Sequence, residues 1–260
     1  MVSLGIDLGY SAVKIALVDA AGRIRHCAHG RHSGRIAETL RAMLDVGFRA
    51  GGAQDVAFGA VTGSGADLLA APGLVQAVNE VAALVEGGMI LAPQARAIVE
   101  IGGQTAKYAT GFTATDKSRV EVSINSNCAS GTGAFLEEQV SRLGLSIEDF
   151  SARAGQASKV PRIAGRCSVF AKTDITHHQQ EGASVADILM GLAHAVVRNY
   201  RGAVMRKLPL RHPILFAGGV SRNKSLLGAF RTILDLSPQE FLTHEHAAMT
   251  AAIGAACMAR

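Results

Sequence analysis

The sequence predicts an α/β fold in which one unit of strands and helices occurs twice. The succession strand, strand, strand, helix, strand, helix fills the first third of the chain and begins again after Pro93. Each copy opens on an apolar strand that ends in glycine, Asp7-Leu8-Gly9 in the first and Glu100-Ile101-Gly102-Gly103 in the second. A third glycine turn, Gly218-Gly219, follows another apolar run near the end. Recurrence of one supersecondary unit marks an internal duplication.

Residues 2–8 are apolar and run into the first glycine turn, a strand. Residues 12–18 alternate, with Val13, Ile15 and Leu17 on one side and Ala12, Lys14 and Ala16 on the other, a second strand. Asp-Ala-Ala-Gly at 19–22 turns the chain into a short third strand at 23–28. The 34–49 stretch carries Ile36, Leu40, Met43 and Leu44 at helical spacing. A strand at 55–61 and a helix at 78–90 complete the first unit. In the second unit, strands are expected at 97–101, 108–113 and 120–124. Helices follow at 133–143, 167–180 and 185–207. A strand at 214–217 then leads through Gly218-Gly219 to a helix from Lys224. The tail, 246–258, is an Ala-rich helix with Gly254 embedded in it.

Composition narrows the function. The chain has 260 residues, 48% hydrophobic and 18% charged, enough to bury a core and too apolar for disorder. Aromatics are only 5% with no Trp, which argues against a base-stacking platform for nucleic acid. Lys and Arg number 26 against 21 Asp and Glu, and the basic residues are scattered rather than clustered. A formal charge of +5 spread in this way suits an anionic ligand or an acidic partner. No run of about 18 apolar residues is present, so no membrane span is expected. Nor does the N-terminus read as a signal peptide. Cys27, Cys128, Cys167 and Cys257 form no close pair, and a cytoplasmic, reducing setting is expected.

The three glycine turns invite phosphate. Glycine lets backbone N–H groups approach phosphate oxygens with no Cβ in the way. An acid beside such a turn can hold a water of Mg²⁺, and Lys14 stands on the strand after the first turn. Any one of the turns also reads as mere punctuation between elements. No P-loop and no G-x-G-x-x-G fingerprint occurs, so the weight rests on the joint arrangement.

Cys128 sits in Asn125-Ser126-Asn127-Cys128-Ala129-Ser130-Gly131-Thr132-Gly133, and Cys167 in Gly165-Arg166-Cys167-Ser168-Val169-Phe170-Ala171. Both precede a predicted helix, whose N-terminus favours a thiolate and a bound anion. Two thiolates are too few for a closed site, whereas a two-fold homodimer would supply twice as many. A buried cysteine by itself is an inert small hydrophobe. Cys27 and Cys257 carry that reading, and His177-His178 read as a polar helix end because adjacent helical positions diverge.

The paired glycine hairpins and the Gly-Gly turn resemble the actin, hexokinase and Hsp70 superfamily. The cysteine segments, with Gly5-Ile6-Asp7-Leu8-Gly9, Ile101-Gly102-Gly103-Gln104, Gly218-Gly219-Val220-Ser221-Arg222-Asn223 and Glu245-His246-Ala247, resemble a narrower group. These are the activator ATPases of 2-hydroxyacyl-CoA dehydratases and the ATPase subunits of benzoyl-CoA reductases. The resemblance implies a duplicated actin-like, ribonuclease H-like fold with two lobes around a nucleotide cleft. Lobe I would be 1–95 completed by the tail helix, 244–260, and lobe II 96–243 with the cluster cysteines. It implies ATP or ADP with Mg²⁺, with Asp7, Glu100 and Gln104 as catalytic candidates. Nucleotide contacts are expected from Gly9, Tyr10, Ser11, Lys14, Gly102, Gly103, Gln104, Thr105 and Lys107. Further ones are expected from Gly131, Gly133, Gly218, Gly219, Val220 and Asn223.

By the same resemblance, Cys128 and Cys167 of two chains would share one [4Fe–4S] cluster. ATP hydrolysis would drive an electron from ferredoxin or flavodoxin into an acyl-CoA dehydratase, a reductase or a double-cubane-type partner. Three positions depart from the family pattern. Thr105 replaces an Asp, Tyr10-Ser11 replaces Ser-Thr, and Leu84 stands where a His is common. Loss of the Asp bears on hydrolysis more than on binding, because the backbone N–H groups remain. It favours the rival reading of a non-hydrolysing regulatory subunit. A small-molecule kinase on the same fold would need no iron.

Overall fold

In the computed structural model, which describes residues 1–51, 56–71, 73–125 and 128–259, the duplication appears as two sheets of the same plan. In the first, β1 (Val2–Leu8) pairs antiparallel with β2 (Ala12–Asp19), and β2 with β3 (Ile24–Arg31). On the other side of β1 lie β4 (Val56–Thr62) and β5 (Gln76–Ala77), both parallel to their neighbours. The second sheet repeats this with β6 (Ala97–Ile101), β7 (Ala106–Thr110) and β8 (Glu121–Ile124) as the antiparallel meander. β9 (Ile214–Ala217) and β10 (Phe241–Leu242) are its parallel strands. The sheet orders, β3-β2-β1-β4-β5 and β10-β9-β6-β7-β8, are one plan read in opposite directions.

The alternation in β2 sorts its two faces. Val13, Ile15 and Leu17 pack with Leu40, Met43 and Leu44 of α1 (Ile36–Gly51). Ala16 and Val18 face α8 (Thr250–Met258) through Ala252, Ile253 and Ala256. The second sheet buries one face under α3 (Gly133–Arg142), α5 (Ser168–Gln180), α6 (Val185–Ala203) and α7 (Lys224–Leu234). There Phe230 stacks on Phe241 at 5.1 Å between ring centroids and meets Tyr200 edge-on at 5.5 Å. Its other face receives Leu84, Val85 and Met89 of α2 (Glu80–Leu91), which pack with Ile98 and Leu215. So the helix that follows the first sheet in sequence covers the second, and the tail helix covers the first.

Several sequence boundaries shift. The tail helix begins at Thr250, after a 3-10 turn at Ala247–Met249, and α6 ends at Ala203 rather than Lys207. β7 starts at Ala106 and stops at Thr110, where Gly111 takes φ +79°. Cys167 is the N-cap of α5 and not its first residue. Asp55, expected in β4, lies outside the described residues. The short elements β5, β10 and α4 (Phe150–Ala154) were not foreseen. No helix among the described residues is long and apolar enough to cross a membrane.

α2 and α8 cross at glycine. A Cβ on Gly254 would stand 1.8 Å from the Ala83 carbonyl oxygen, one on Gly87 1.9 Å from that of Thr250, and one on Gly5 1.9 Å from that of Ala252. α8 is therefore wedged between β1 and α2, where only hydrogen fits. We predict that Gly254→Val forces the two helices apart and costs about 1–3 kcal/mol, the usual range for overpacking. Urea unfolding of the two proteins measures it, and an unchanged midpoint would refute the close crossing.

Candidate nucleotide cleft and cysteine loops

The two first hairpins are built alike, residue for residue. In each, a glycine N–H closes the turn: Gly9 donates to the Ala12 carbonyl at 3.1 Å and Gly102 to that of Thr105 at 2.8 Å. In each, an acid at the end of the first strand pairs across the ladder with a lysine of the second, Asp7 with Lys14 and Glu100 with Lys107. Lys14 Nζ donates to Asp7 Oδ2 at 2.9 Å. Lys107 Nζ donates to Glu100 Oε2 at 3.1 Å, to Glu80 Oε1 at 2.8 Å and to Thr105 Oγ1 at 3.1 Å. Asp7, Lys14, Glu100 and Lys107 were all candidates from sequence, and Glu80 was not. Their equal spacing, acid to lysine in both hairpins, was the signal that would have paired them.

Burial alone would make these lysines give up their protons. For Lys14 the penalty is outweighed by Asp7, with help from Glu100 and Glu80, and the ammonium is held above its ordinary range. For Lys107 burial is outweighed by Glu100 and Glu80, and it too stays charged. Burial lifts the Glu100 carboxyl above the usual range, against the pull of Lys107. Glu80 reaches this cluster because Asn79 caps α2, accepting from the Val81 and Ala82 N–H groups and setting Glu80 at the helix start.

The hairpins face each other across a cleft of 510 Å³, a size suited to a nucleotide. Asp7, Gly9, Tyr10, Ser11 and Lys14 line it from the first sheet, and Glu100, Gly102, Gly103, Gln104, Thr105 and Lys107 from the second. The turns nearly touch, since a Cβ on Gly103 would lie 2.6 Å from Ser11 Oγ. Gln104 is exposed, and its side chain has no hydrogen-bond partner among the described residues. Gly133, Gly218, Gly219, Val220 and Asn223 line the cleft as well. Gly218 takes φ +86°, with a would-be Cβ only 2.4 Å from the Ile101 carbonyl oxygen, so the turn is pressed onto the end of β6. Asn223 caps α7 and accepts a bond from Ser151 Oγ at 2.9 Å. Gly131 is not brought to the cleft. It takes φ +84° against Asn199, beside the cysteine loop.

Other cleft residues carried no mark in the sequence. Arg31 on β3 reaches across the opening to Glu137 of α3 at 2.6 Å and to Glu148 at 3.7 Å. His29 is held near pKa 4 by burial, with Lys14 and Arg222 adding repulsion, so it is neutral at physiological pH. Residues so far apart in sequence meet only because the two sheets face each other.

The N-terminus of α3 is spoken for. Gly133 N–H donates to the Gly102 carbonyl at 2.9 Å and Ala134 N–H to that of Gly103 at 2.8 Å. The helix end expected to offer its N–H groups to an anion near Cys128 is instead fastened to the second glycine turn. Cys128, just upstream, is exposed, and its Sγ lies 3.3 Å from Ser130 Oγ. Hydrogen bonds from the Ser130 side chain and backbone bring this thiol below its ordinary pKa. Cys167 is half-buried at the head of α5, followed by Val169 and Phe170, which are 68% and 65% exposed. Asn199 of α6 joins the two loops. Its Nδ2 donates to the Ser130 carbonyl at 3.1 Å, and its Cβ would be 3.2 Å from a Cβ on Gly165. Cys27 and Cys257 pack instead against the core between the first sheet and α8, and burial pushes the Cys27 thiol up to about 12.

Cys128 and Cys167 both lie outside the cleft, the Ser130 hydrogen bonds favour the thiolate of Cys128, and two such ligands are too few to close a four-thiolate cluster within one chain.

The profile of the BadF/BadG/BcrA/BcrD ATPase family matches residues 4–259. The activator of lactoyl-CoA dehydratase from Anaerotignum propionicum is 27% identical, covering 100% of this chain and 97% of its own. The (R)-2-hydroxyglutaryl-CoA dehydratase activating ATPase from Acidaminococcus fermentans is 25% identical over 99% of this chain and 96% of its own. The crystal structure of the Acidaminococcus fermentans (R)-2-hydroxyglutaryl-CoA dehydratase component A superposes with a TM-score of 0.88 at 24% identity. It covers 100% of this chain and 97% of that one, and the shared architecture is the two-lobed actin-like fold.

Proposed function

The chain belongs to the BadF/BadG/BcrA/BcrD ATPase family, and from that premise we propose that it is an ATP-driven electron activator. It would act as a homodimer on an acyl-CoA dehydratase, a reductase or a related double-cubane iron–sulfur protein, with ferredoxin or flavodoxin as donor. The observation that carries this reading is the pair of hydrogen bonds from Gly133 and Ala134 to Gly102 and Gly103. They tie the turn expected to meet phosphate to the helix that follows Cys128.

In this reading the backbone N–H groups of the two glycine turns cradle the phosphates. Lys14 and Lys107 remain charged beside them, each balanced by its own carboxylates. Asp7 and Glu100 would hold Mg²⁺ through its waters, since both carboxylates already receive a lysine. Gln104, whose side chain has no competing bond among the described residues, would orient the attacking water. Cys128 and Cys167 of two chains would bind one [4Fe–4S] cluster, which when bound supplies one-electron chemistry at low potential. A change at the 102–103 turn on hydrolysis is passed to α3 by its two hydrogen bonds, and Arg31 adds a second link between the lobes.

The test is an anaerobic preparation assayed for iron, sulfide and ATP turnover. One cluster's complement per two chains, with turnover, supports the reading. Turnover on a small acceptor without iron would replace it with a kinase.

Thr105 decides between this reading and a non-hydrolysing regulatory subunit. Its Oγ1 accepts from Lys107 Nζ, so an Asp there would meet a lysine already in place. We predict that Thr105→Asp raises ATP turnover about a hundredfold, at the low end of what a positioned acid–base group contributes, while ATP affinity stays within about twofold. Steady-state turnover and calorimetric titration check both halves. A wild type that neither hydrolyses ATP nor gains from the substitution supports the regulatory subunit.

A further inference from the structure

One motif is left without a role by the cleft and the cysteine loops: Thr176-His177-His178-Gln179-Gln180-Glu181-Gly182, at the far end of α5 from Cys167. Adjacent helical positions were expected to point apart, yet the two imidazoles converge on one carboxylate. The helix ends there, with Glu181 as its C-cap, one turn beyond both histidines, and Gly182 at φ +83° turning the chain away. His178 Nδ1 lies 3.0 Å from Glu181 Oε2 and His177 Nδ1 lies 3.4 Å from the same oxygen. One donor atom from each of the three residues falls within 4.8 Å of the other two.

A backbone contact fixes the orientation of one of the rings. His178 Nε2 sits 3.1 Å from the Arg162 carbonyl oxygen, which can only accept, so Nε2 carries a hydrogen. His178 Nδ1, 3.0 Å from Glu181 Oε2, donates to that carboxylate in the protonated ring, which the Arg162 carbonyl and Glu181 both favour, and a metal ion would take the place of that proton. Anchoring of one ring nitrogen by a backbone carbonyl is how metal-binding histidines are commonly oriented. A tetrahedral Zn²⁺ with bonds of about 2.0–2.2 Å sets its ligand atoms roughly 3.4 Å apart. The His177 separation of 3.4 Å equals that spacing and the His178 separation of 3.0 Å is somewhat shorter.

We propose that His177, His178 and Glu181 form a divalent transition-metal site of the Zn²⁺ class, two imidazoles and one carboxylate with the remaining position open to water. The inference stands apart from the cluster and nucleotide readings, because it uses none of their residues. A bound ion would pin the last turn of α5 to the 161–163 segment and so stiffen the helix that Cys167 caps.

The test is titration of the full chain with Co²⁺, followed by Zn²⁺ competition, under anaerobic conditions. Nitrogen and oxygen ligation gives visible d–d absorption without the near-ultraviolet thiolate-to-cobalt band, so binding at the cysteines is told apart. One Co²⁺ per chain with such a spectrum is expected, weakened at least tenfold in His178→Asn and in Glu181→Gln. The other close imidazole pair among the described residues is His244 and His246, at 5.5 Å between ring centroids, and His244→Asn should leave the affinity unchanged. Circular dichroism establishes that each variant is folded. Equal affinity in wild type, His178→Asn and Glu181→Gln, or a spectrum of thiolate type only, would overturn the site.

Discussion

Cys128→Ser and Cys167→Ser are each expected to yield a folded dimer stripped of iron, while Cys27→Ser keeps its full complement. The effect is close to all-or-none, because each single substitution removes half of the thiolates that a shared [4Fe–4S] cluster needs. Folding should survive, since Cys128 is exposed and Cys167 half-buried at a helix N-cap. Cys27 differs in kind, for its thiol packs against the α8 core and burial holds it protonated up to about 12. Iron and sulfide analysis with an anaerobic visible spectrum measures the outcome. Full iron content in Cys167→Ser would sink the shared-cluster proposal, leaving the nucleotide cleft untouched as a separate question.

Lys107→Met should be the most destabilising substitution in the cleft, at about 3–5 kcal/mol. Lys107 is 2% exposed and satisfies Glu100 and Glu80 together, so its loss leaves the buried Glu100 carboxylate without its hydrogen-bonded counter-ion. The sign of the pH dependence follows. With the ammonium gone, burial raises the folded-state pKa of Glu100 still further above its unfolded value. The folded protein then binds the proton more tightly, and stability rises as pH falls through that range. The deficit against wild type should be largest near pH 7 and shrink toward about pH 5. Urea unfolding at both pH values tests this, and adding Glu100→Leu should recover part of the loss by removing the stranded charge. A deficit below about 1 kcal/mol at pH 7 would show that the cluster is not the buried network its distances describe.

The chain itself was enough for much of this protein. Period-two alternation in β2 and the glycine turns at Gly9, Gly102 and Gly218 are local properties, so the hairpins, their order and the duplication were legible. So were the cysteine loops, whose residue pattern is contiguous. Elements too short to show a period were not, which is why the two-residue strands β5 and β10 went unseen. The return of α8 to the first sheet was expected only through the resemblance, and the packing of α2 on the second sheet was not expected at all, because an apolar helix face does not name the sheet that will cover it. The same holds within the site. Asp7, Lys14, Glu100 and Lys107 could be singled out one by one, but Glu80 joins them only through the packing of α2 on the second sheet. Arg31 meets Glu137, and Asn199 meets both cysteine loops, because the fold brings together segments that share no local pattern. His177 and His178 show the limit most plainly: adjacent positions on a helix diverge, yet both rings reach Glu181, which lies four residues beyond one and three beyond the other.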